Sequence, residues 1–364
     1  MDWIEQKKLF EGELIKRGKL VYSHLKSEKY RDGFLPEHIC DAVYSYIDSG
    51  GKALRPTLLL FCCGAVGGDE AVALPAACAV EVFHTWTLVH DDVMDRDKKR
   101  RGGMTVHEKF RGRAIDEFSY NEIDARHYGE SIAMLTGDVQ HGWAVSLLCE
   151  LSDLGLDKNV TLHLIRELET GVINLLLEGQ TLDIQFSKLP IESLNEDLVV
   201  DMLCKKTGAL YEYAGKAGAM IGLNEINPDN NLIKYISQFT SGCAIAFQIQ
   251  DDILGITGDE QKLGKPVGSD IREGKRTLIA CHAFNNADNR QKKRLLGILG
   301  NQNATDEEIH ESIDLLNELD GIEYARNLSK QFMENSKNNL ENIPESKYKD
   351  LLSIWAEYMI KREF

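Results

Sequence analysis

Two aspartate clusters stand far apart in the chain, DDVMD at Asp91 to Asp95 and DDILG beginning at Asp251. Each closes a long apolar run and is followed by basic residues. On a helix, positions i, i+1 and i+4 share a face, so Asp91 and Asp95 point the same way with Asp92 beside them. Carboxylates crowded together raise one another's pKa, and a divalent cation is their natural partner. Magnesium keeps several waters and takes one or two carboxylates plus phosphate oxygens, which fits clusters this sparse. Acid beside base therefore suggests a metal-bridged diphosphate. The plain alternative for either cluster is a solvated acidic helix end, and the presence of two such clusters argues against it.

Three basic groupings accompany them: Lys52 and Arg55 in GGKALRP, Arg100 and Arg101 in KKRRGGMTVH, and Lys265 and Lys275 in GKPVGSDIREGK, with Lys206 in KKTG. One grouping alone is usually a solvated face. Each of these lies beside glycines at a helix boundary, where free N–H groups cradle phosphate, and arginine adds bidentate geometry. A nucleotide-binding P-loop is excluded, because Gly268 and Gly274 are separated by five residues rather than four and Arg276 stands where Ser or Thr is required. His84 and His90 precede Asp91 on the same run, but too few further ligands can be assembled for zinc.

These residues must be positioned by helices. Alternating polarity is scarce, whereas stripes of period 3.6 recur, as in Leu162, Ile165, Leu168, Val172, Leu175 and Leu176. The pattern predicts helices near 5–30, 36–48, 52–66, 70–96, 130–152, 158–186, 195–222, 229–256, 275–299, 305–318, 321–339 and 346–361. The seven prolines should fall at helix starts or in loops. The runs before Asp91 and Asp251 are apolar on most faces and should be central, with their acidic ends meeting at one mouth. The polar stretch 111–130 reads as a surface excursion or insertion. No linker divides the 364 residues, so one domain, 1–364, is expected.

A net charge of -16 argues against nucleic acid as a partner. Eight cysteines without a CxxC pair read as core residues in a reducing compartment. The N-terminal region mixes both charges and reads as no signal segment. The longest apolar stretches are interrupted and fall short of the roughly 20 residues that cross a bilayer, so a cytoplasmic protein without a transmembrane segment is expected.

The ordered motifs GGKALRP, HDDVMD, RRG with TVH, LTGD, GQTLDI, KKTGAL, FQIQDD and GKPVGSDIREGKRT resemble the trans-isoprenyl diphosphate synthases, the polyprenyl synthetase family, over roughly Gly50 to Thr277. The resemblance implies an all-α fold, a single large antiparallel bundle around a deep apolar cavity, normally homodimeric. It implies that Asp91, Asp95 and Asp251 bind magnesium, three ions per active site. Arg100, Lys206, Lys265 and Lys275 would hold the allylic diphosphate, and Thr207 and Gln248 would lie beside the reacting carbon. Lys52, Arg55, His84 and Arg101 would bind isopentenyl diphosphate. The implied reaction joins isopentenyl diphosphate to dimethylallyl, geranyl or farnesyl diphosphate.

The chain departs from the family pattern at Ala53, in place of a frequent Arg, at Met104, in place of Pro, and at Gly255, in place of the last Asp of the second motif. Only Gly255 lies where it could touch metal, and activity is expected to survive it. Trp86 and Phe83 lie about 7.5 Å and about 12 Å down the helix from Asp91. The aromatic at Trp86 resembles archaeal-type geranylgeranyl diphosphate synthases, and either ring could floor the tail cavity; Trp86 facing another helix is the alternative. Other readings are a farnesyl or longer-chain synthase, a class I terpene cyclase, and a non-catalytic regulatory subunit.

Overall fold

The computed structural model describes residues 2–258 and 267–361, so Lys265 lies outside the described residues. The chain groups into two compact units, Met1–Ile165 with Ala217–Asn227, and Arg166–Lys216 with Pro228–Phe364. Apart from one two-stranded hairpin, the regular elements described are helical, as expected.

The first unit is built on α1 (Trp3–Leu25), α2 (Glu28–Arg31), α3 (Glu37–Ser49), α4 (Leu54–Ala65) and α5 (Glu70–Met94). The hairpin β1 (Lys99–Arg100) and β2 (Gly103–Met104) follows, then α6 (Val106–Phe118) and α7 (Glu122–Cys149). Asp69 caps α5 by accepting the Ala71 N–H, and the buried side chains of α5 occur on every face, which makes it the central helix of this unit. Its length and apolar composition would suit a bilayer span, but most of its apolar stretch is buried inside the protein. The helix matches the one expected over 70–96, but Pro75 lies inside it rather than at a helix start or in a loop, as was expected of the prolines. A proline in a helix interior costs about 3 kcal/mol, which burial of the surrounding apolar face offsets.

The stretch 111–130, expected as a surface excursion, is largely exposed but mostly helical. It is the end of α6, a short turn and the start of α7, with Ala114 and Ala125 buried and Asn121 capping α7 through the Ile123 and Asp124 N–H groups. A side chain at Gly129 would lie 2.2 Å from the His107 carbonyl oxygen, so the two helices pack backbone to backbone there.

The second unit contains α9 (Ile173–Phe186), α10 (Glu196–Leu203) and α12 (Asn231–Thr257), with α8 (Lys158–Glu167) and α11 (Ala209–Leu223) crossing the unit boundaries in sequence. After the undescribed residues come α13 (Ser269–Glu273), α14 (Leu278–Asn286), α15 (Asn289–Ile298), α16 (Asp306–Glu318), α17 (Gly321–Leu340) and α18 (Lys347–Lys361). The helix expected over 275–299 is therefore two, broken where Asp288 and Gln291 form a capping box that starts α15. Its core joins α12 residues Ile245, Ile249, Ile253 and Ile256 to Ile279, Phe284 and Leu316.

Candidate active site

Asp91 and Asp95 occupy the last turn of α5, where the Asp95 N–H closes on the Asp91 carbonyl at 2.8 Å. Both are partly exposed, whereas Asp92 between them is fully buried. The helix C-terminus carries partial negative charge and no basic residue lies in this turn, so the two carboxylates sit in a field that favours a cation. Asp92 does different work. Its carboxylate accepts the Arg100 Nε–H at 2.8 Å and a second, shorter Arg100 bond, and it also accepts the Tyr46 hydroxyl. Burial pushes the Asp92 carboxyl up, against the opposing pull of Arg100 and Tyr46.

The hairpin explains how the two arginines are aimed. Arg101 and Gly102 both have positive φ, 53° and 79°, the geometry of a two-residue turn that matches strand twist. Arg100 is thereby turned back onto Asp92 and Asp97, while Arg101 donates to the Tyr46 and Gly50 carbonyls at 3.0 and 2.6 Å. Both were expected to hold diphosphate; the structure shows each also bound to the protein.

Lys52 is exposed just before α4. Arg55 donates to His84 Nε2 at 3.1 Å. A guanidinium can only donate, so His84 Nε2 carries the lone pair and the ring is neutral. Burial, with Arg55 beside it, holds the His84 pKa well below its ordinary range. Ala53 is buried at the N-cap of α4 in a left-handed conformation, with its Cβ facing Gly18 of α1, where an added side chain would come within 3.3 Å of it.

Phe83 and Trp86 form an edge-on ring pair at 4.8 Å, and His141 of α7 lies 5.1 Å from Trp86. Trp86 thus contacts both Phe83 on its own helix and His141 on α7.

In the second unit, α10 passes into α11 through a π-helical turn, Cys204–Gly208, which carries Lys206 and Thr207. Such turns mark functional positions often. Gly179 of α9 makes the approach possible, since a side chain there would lie 2.3 Å from the Lys206 backbone nitrogen. Lys206 pairs with Asp183 at 2.5 Å. The Thr207 hydroxyl donates to Gln248 Oε1 at 2.9 Å, and Gln248 Nε2 donates onward to Asp252 at 3.1 Å. Lys275 pairs with Asp270 at 2.8 Å and Glu273 at 3.1 Å. Lys206, Gln248 and Lys275 line one pocket with Asp183, Asp252, Arg276 and Thr277. Burial, reinforced by the negative field of Asp270, pushes the Asp252 carboxyl up to about 7.

Asp251, partly exposed on α12, belongs to this unit, as Asp91 and Asp95 belong to the first. Among the described residues no group of three His, Cys, Asp or Glu side chains could enclose a metal alone. Magnesium needs no such group, since it completes its shell with water and substrate phosphate. Asp183, Asp252 and Asp270 were not singled out from the sequence. The usable signals were an aspartate alone in the apolar run of GQTLDI, the second member of a DD pair, and the aspartate five residues before Lys275.

Residues 36–316 match the polyprenyl synthetase family. The chain belongs to that family. It is 35 % identical over 339 residues to the geranylgeranyl diphosphate synthase of Sulfolobus acidocaldarius, covering 92 % of this chain and 94 % of that one. The geranylgeranyl pyrophosphate synthetase of Pyrococcus horikoshii superposes with a TM-score of 0.83 at 34 % identity, over 99 % of this chain and all of that one. A geranylgeranyl pyrophosphate synthase from Corynebacterium glutamicum, solved with isoprenyl diphosphate and magnesium, superposes at 0.80 with 25 % identity, over 100 % of both chains.

Proposed function

We propose that the protein is a magnesium-dependent trans-prenyltransferase that condenses isopentenyl diphosphate head-to-tail with allylic diphosphates. The product is short-chain, geranylgeranyl diphosphate. The observation that carries this reading is the pocket beside the π-turn, where Lys206, Lys275 and Gln248 converge, the glutamine held by Thr207 behind it, in a polyprenyl synthetase chain.

Asp91, Asp95 and Asp251 would hold the magnesium, taken as three ions, which supplies positive charge to the departing diphosphate. Lys206, Lys275, Lys265 and Arg100 grip the allylic diphosphate, so the carbon–oxygen bond breaks with its electron pair leaving on oxygen. Gln248 Oε1 accepts from Thr207 and keeps a second lone pair for the cation that develops. Lys52, Arg55, His84 and Arg101 hold isopentenyl diphosphate, whose double bond attacks that carbon. The proton then lost passes to the released diphosphate. An apolar cavity floored by Phe83 and Trp86 excludes water and limits the tail.

One catalytic domain acting as a homodimer in the cytoplasm completes the proposal, and eight cysteines without a CxxC pair fit a reducing compartment. The test incubates purified protein with magnesium, labelled isopentenyl diphosphate and each of dimethylallyl, geranyl and farnesyl diphosphate, then sizes the dephosphorylated products. A twenty-carbon product abolished by chelator is expected. Failure to elongate any primer would overturn the proposal.

A further inference from the structure

Gly255 stands one helical turn after Asp251 on α12, where the family pattern has a further aspartate. The space it leaves is used. A Cβ at this position would meet Asp270 Oδ2 at 2.9 Å, so that carboxylate lies where a side chain at 255 would begin. Two further bonds hold Asp270 there. The Gly268 N–H donates to the Gly255 carbonyl at 3.0 Å and anchors the start of α13 on α12, and the Lys275 N–H returns to the Asp270 carbonyl at 2.9 Å. From this position Asp270 Oδ1 accepts from Lys275 Nζ at 2.8 Å, with Glu273 as the lysine's second partner at 3.1 Å.

We propose that Gly255 and Asp270 act as one positioning device: the missing side chain admits the Asp270 carboxylate against α12, and the carboxylate fixes the Lys275 ammonium at the pocket. The role given to Lys275 rests on the proposed prenyltransferase reading, whereas the contact does not. The end of a short side chain moves more easily than backbone, so a methyl at 255 displaces the carboxylate and leaves the fold intact.

The test compares wild type with Gly255→Ala, Asp270→Asn and the double variant. The first readout is the acetylation rate of Lys275 by an amine-reactive ester, followed by peptide mass spectrometry on the ligand-free protein. The second is KM for the allylic and isopentenyl diphosphates. Gly255→Ala and Asp270→Asn should each speed acetylation about threefold or more, and the double variant should match Asp270→Asn alone, the non-additivity of a shared contact. KM for the allylic substrate should rise about fivefold while that for isopentenyl diphosphate stays within twofold. Wild-type acetylation rates in Gly255→Ala, or strictly multiplicative effects in the double variant, would overturn the inference. Coupled acetylation in a protein that elongates no primer would uphold the device and remove the prenyltransferase reading.

Discussion

The buried carboxylate of Asp92 is bound by Arg100 across the turn that ends α5, with the Tyr46 hydroxyl on its other oxygen. The middle aspartate of the first cluster therefore braces the hairpin while its neighbours on either side stay partly exposed. Removing one partner of a buried ion pair costs about 3–5 kcal/mol, because the other charge is left uncompensated. Arg100→Ala should lower the thermal midpoint by several degrees, and Tyr46→Phe should lower it less, having lost one bond to a charged group. An unchanged midpoint in Arg100→Ala would mean that the Asp92 contact does not brace the fold, whatever happens to activity.

The relay from Thr207 through Gln248 to Asp252 orients the glutamine amide, since its oxygen accepts at one end and its nitrogen donates at the other. Gln248→Glu puts a carboxylate against Asp252 and should reduce kcat about a hundredfold. Thr207→Val removes only the donor and should cost about tenfold, less than the roughly hundredfold or more seen when a group that touches the reacting atoms is lost. Steady-state rates beside circular dichroism melts separate these effects from unfolding.

Phe83 and Trp86 touch each other and His141. If the pair limits the growing tail, Phe83→Ala with Trp86→Ala should shift products beyond twenty carbons on chromatography. An unchanged product distribution would mean that the pair serves only to pack α5 on α7.

His84 gives a pH signature. Its folded pKa lies below the ordinary His value, so below about pH 6.5 the unfolded chain binds the extra proton and stability falls as pH falls. The sign is therefore stability present above that pH and lost on acidification, with a slope of at most about 1.4 kcal/mol per pH unit for one proton. His84→Gln keeps an acceptor for Arg55 and should flatten that part of the profile in thermal melts between pH 5 and 7.

The sequence made some of this legible and hid the rest for physical reasons. The helices α5 and α12 were readable because their apolar residues run around the whole circumference, and the acidic ends followed from their position. Helix α6 was missed because its buried positions are few: Val106, His107, Phe110 and Ala114 in a run dominated by charge. The Lys206–Asp183 pair joins positions 23 residues apart and leaves no local pattern. Gly255 was visible as a departure, but the Asp270 carboxylate that fills its space was not, since only the return of the chain onto α12 brings the two together.

The π-helical turn at Cys204–Gly208 amounts to one surplus residue threaded into an otherwise continuous helical run from Glu196 to Leu223. Each residue of an α-helix advances the chain by about 100° of rotation. The wider π winding takes up the extra residue locally, so deleting one residue from this turn would restore ordinary winding, leave the buried Leu210, Tyr211 and Ala214 near their present neighbours, and shift Lys206 and Thr207 within the turn. The surplus residue thus acts on the two side chains that the turn carries, Lys206 and Thr207, rather than on the core packed beyond it.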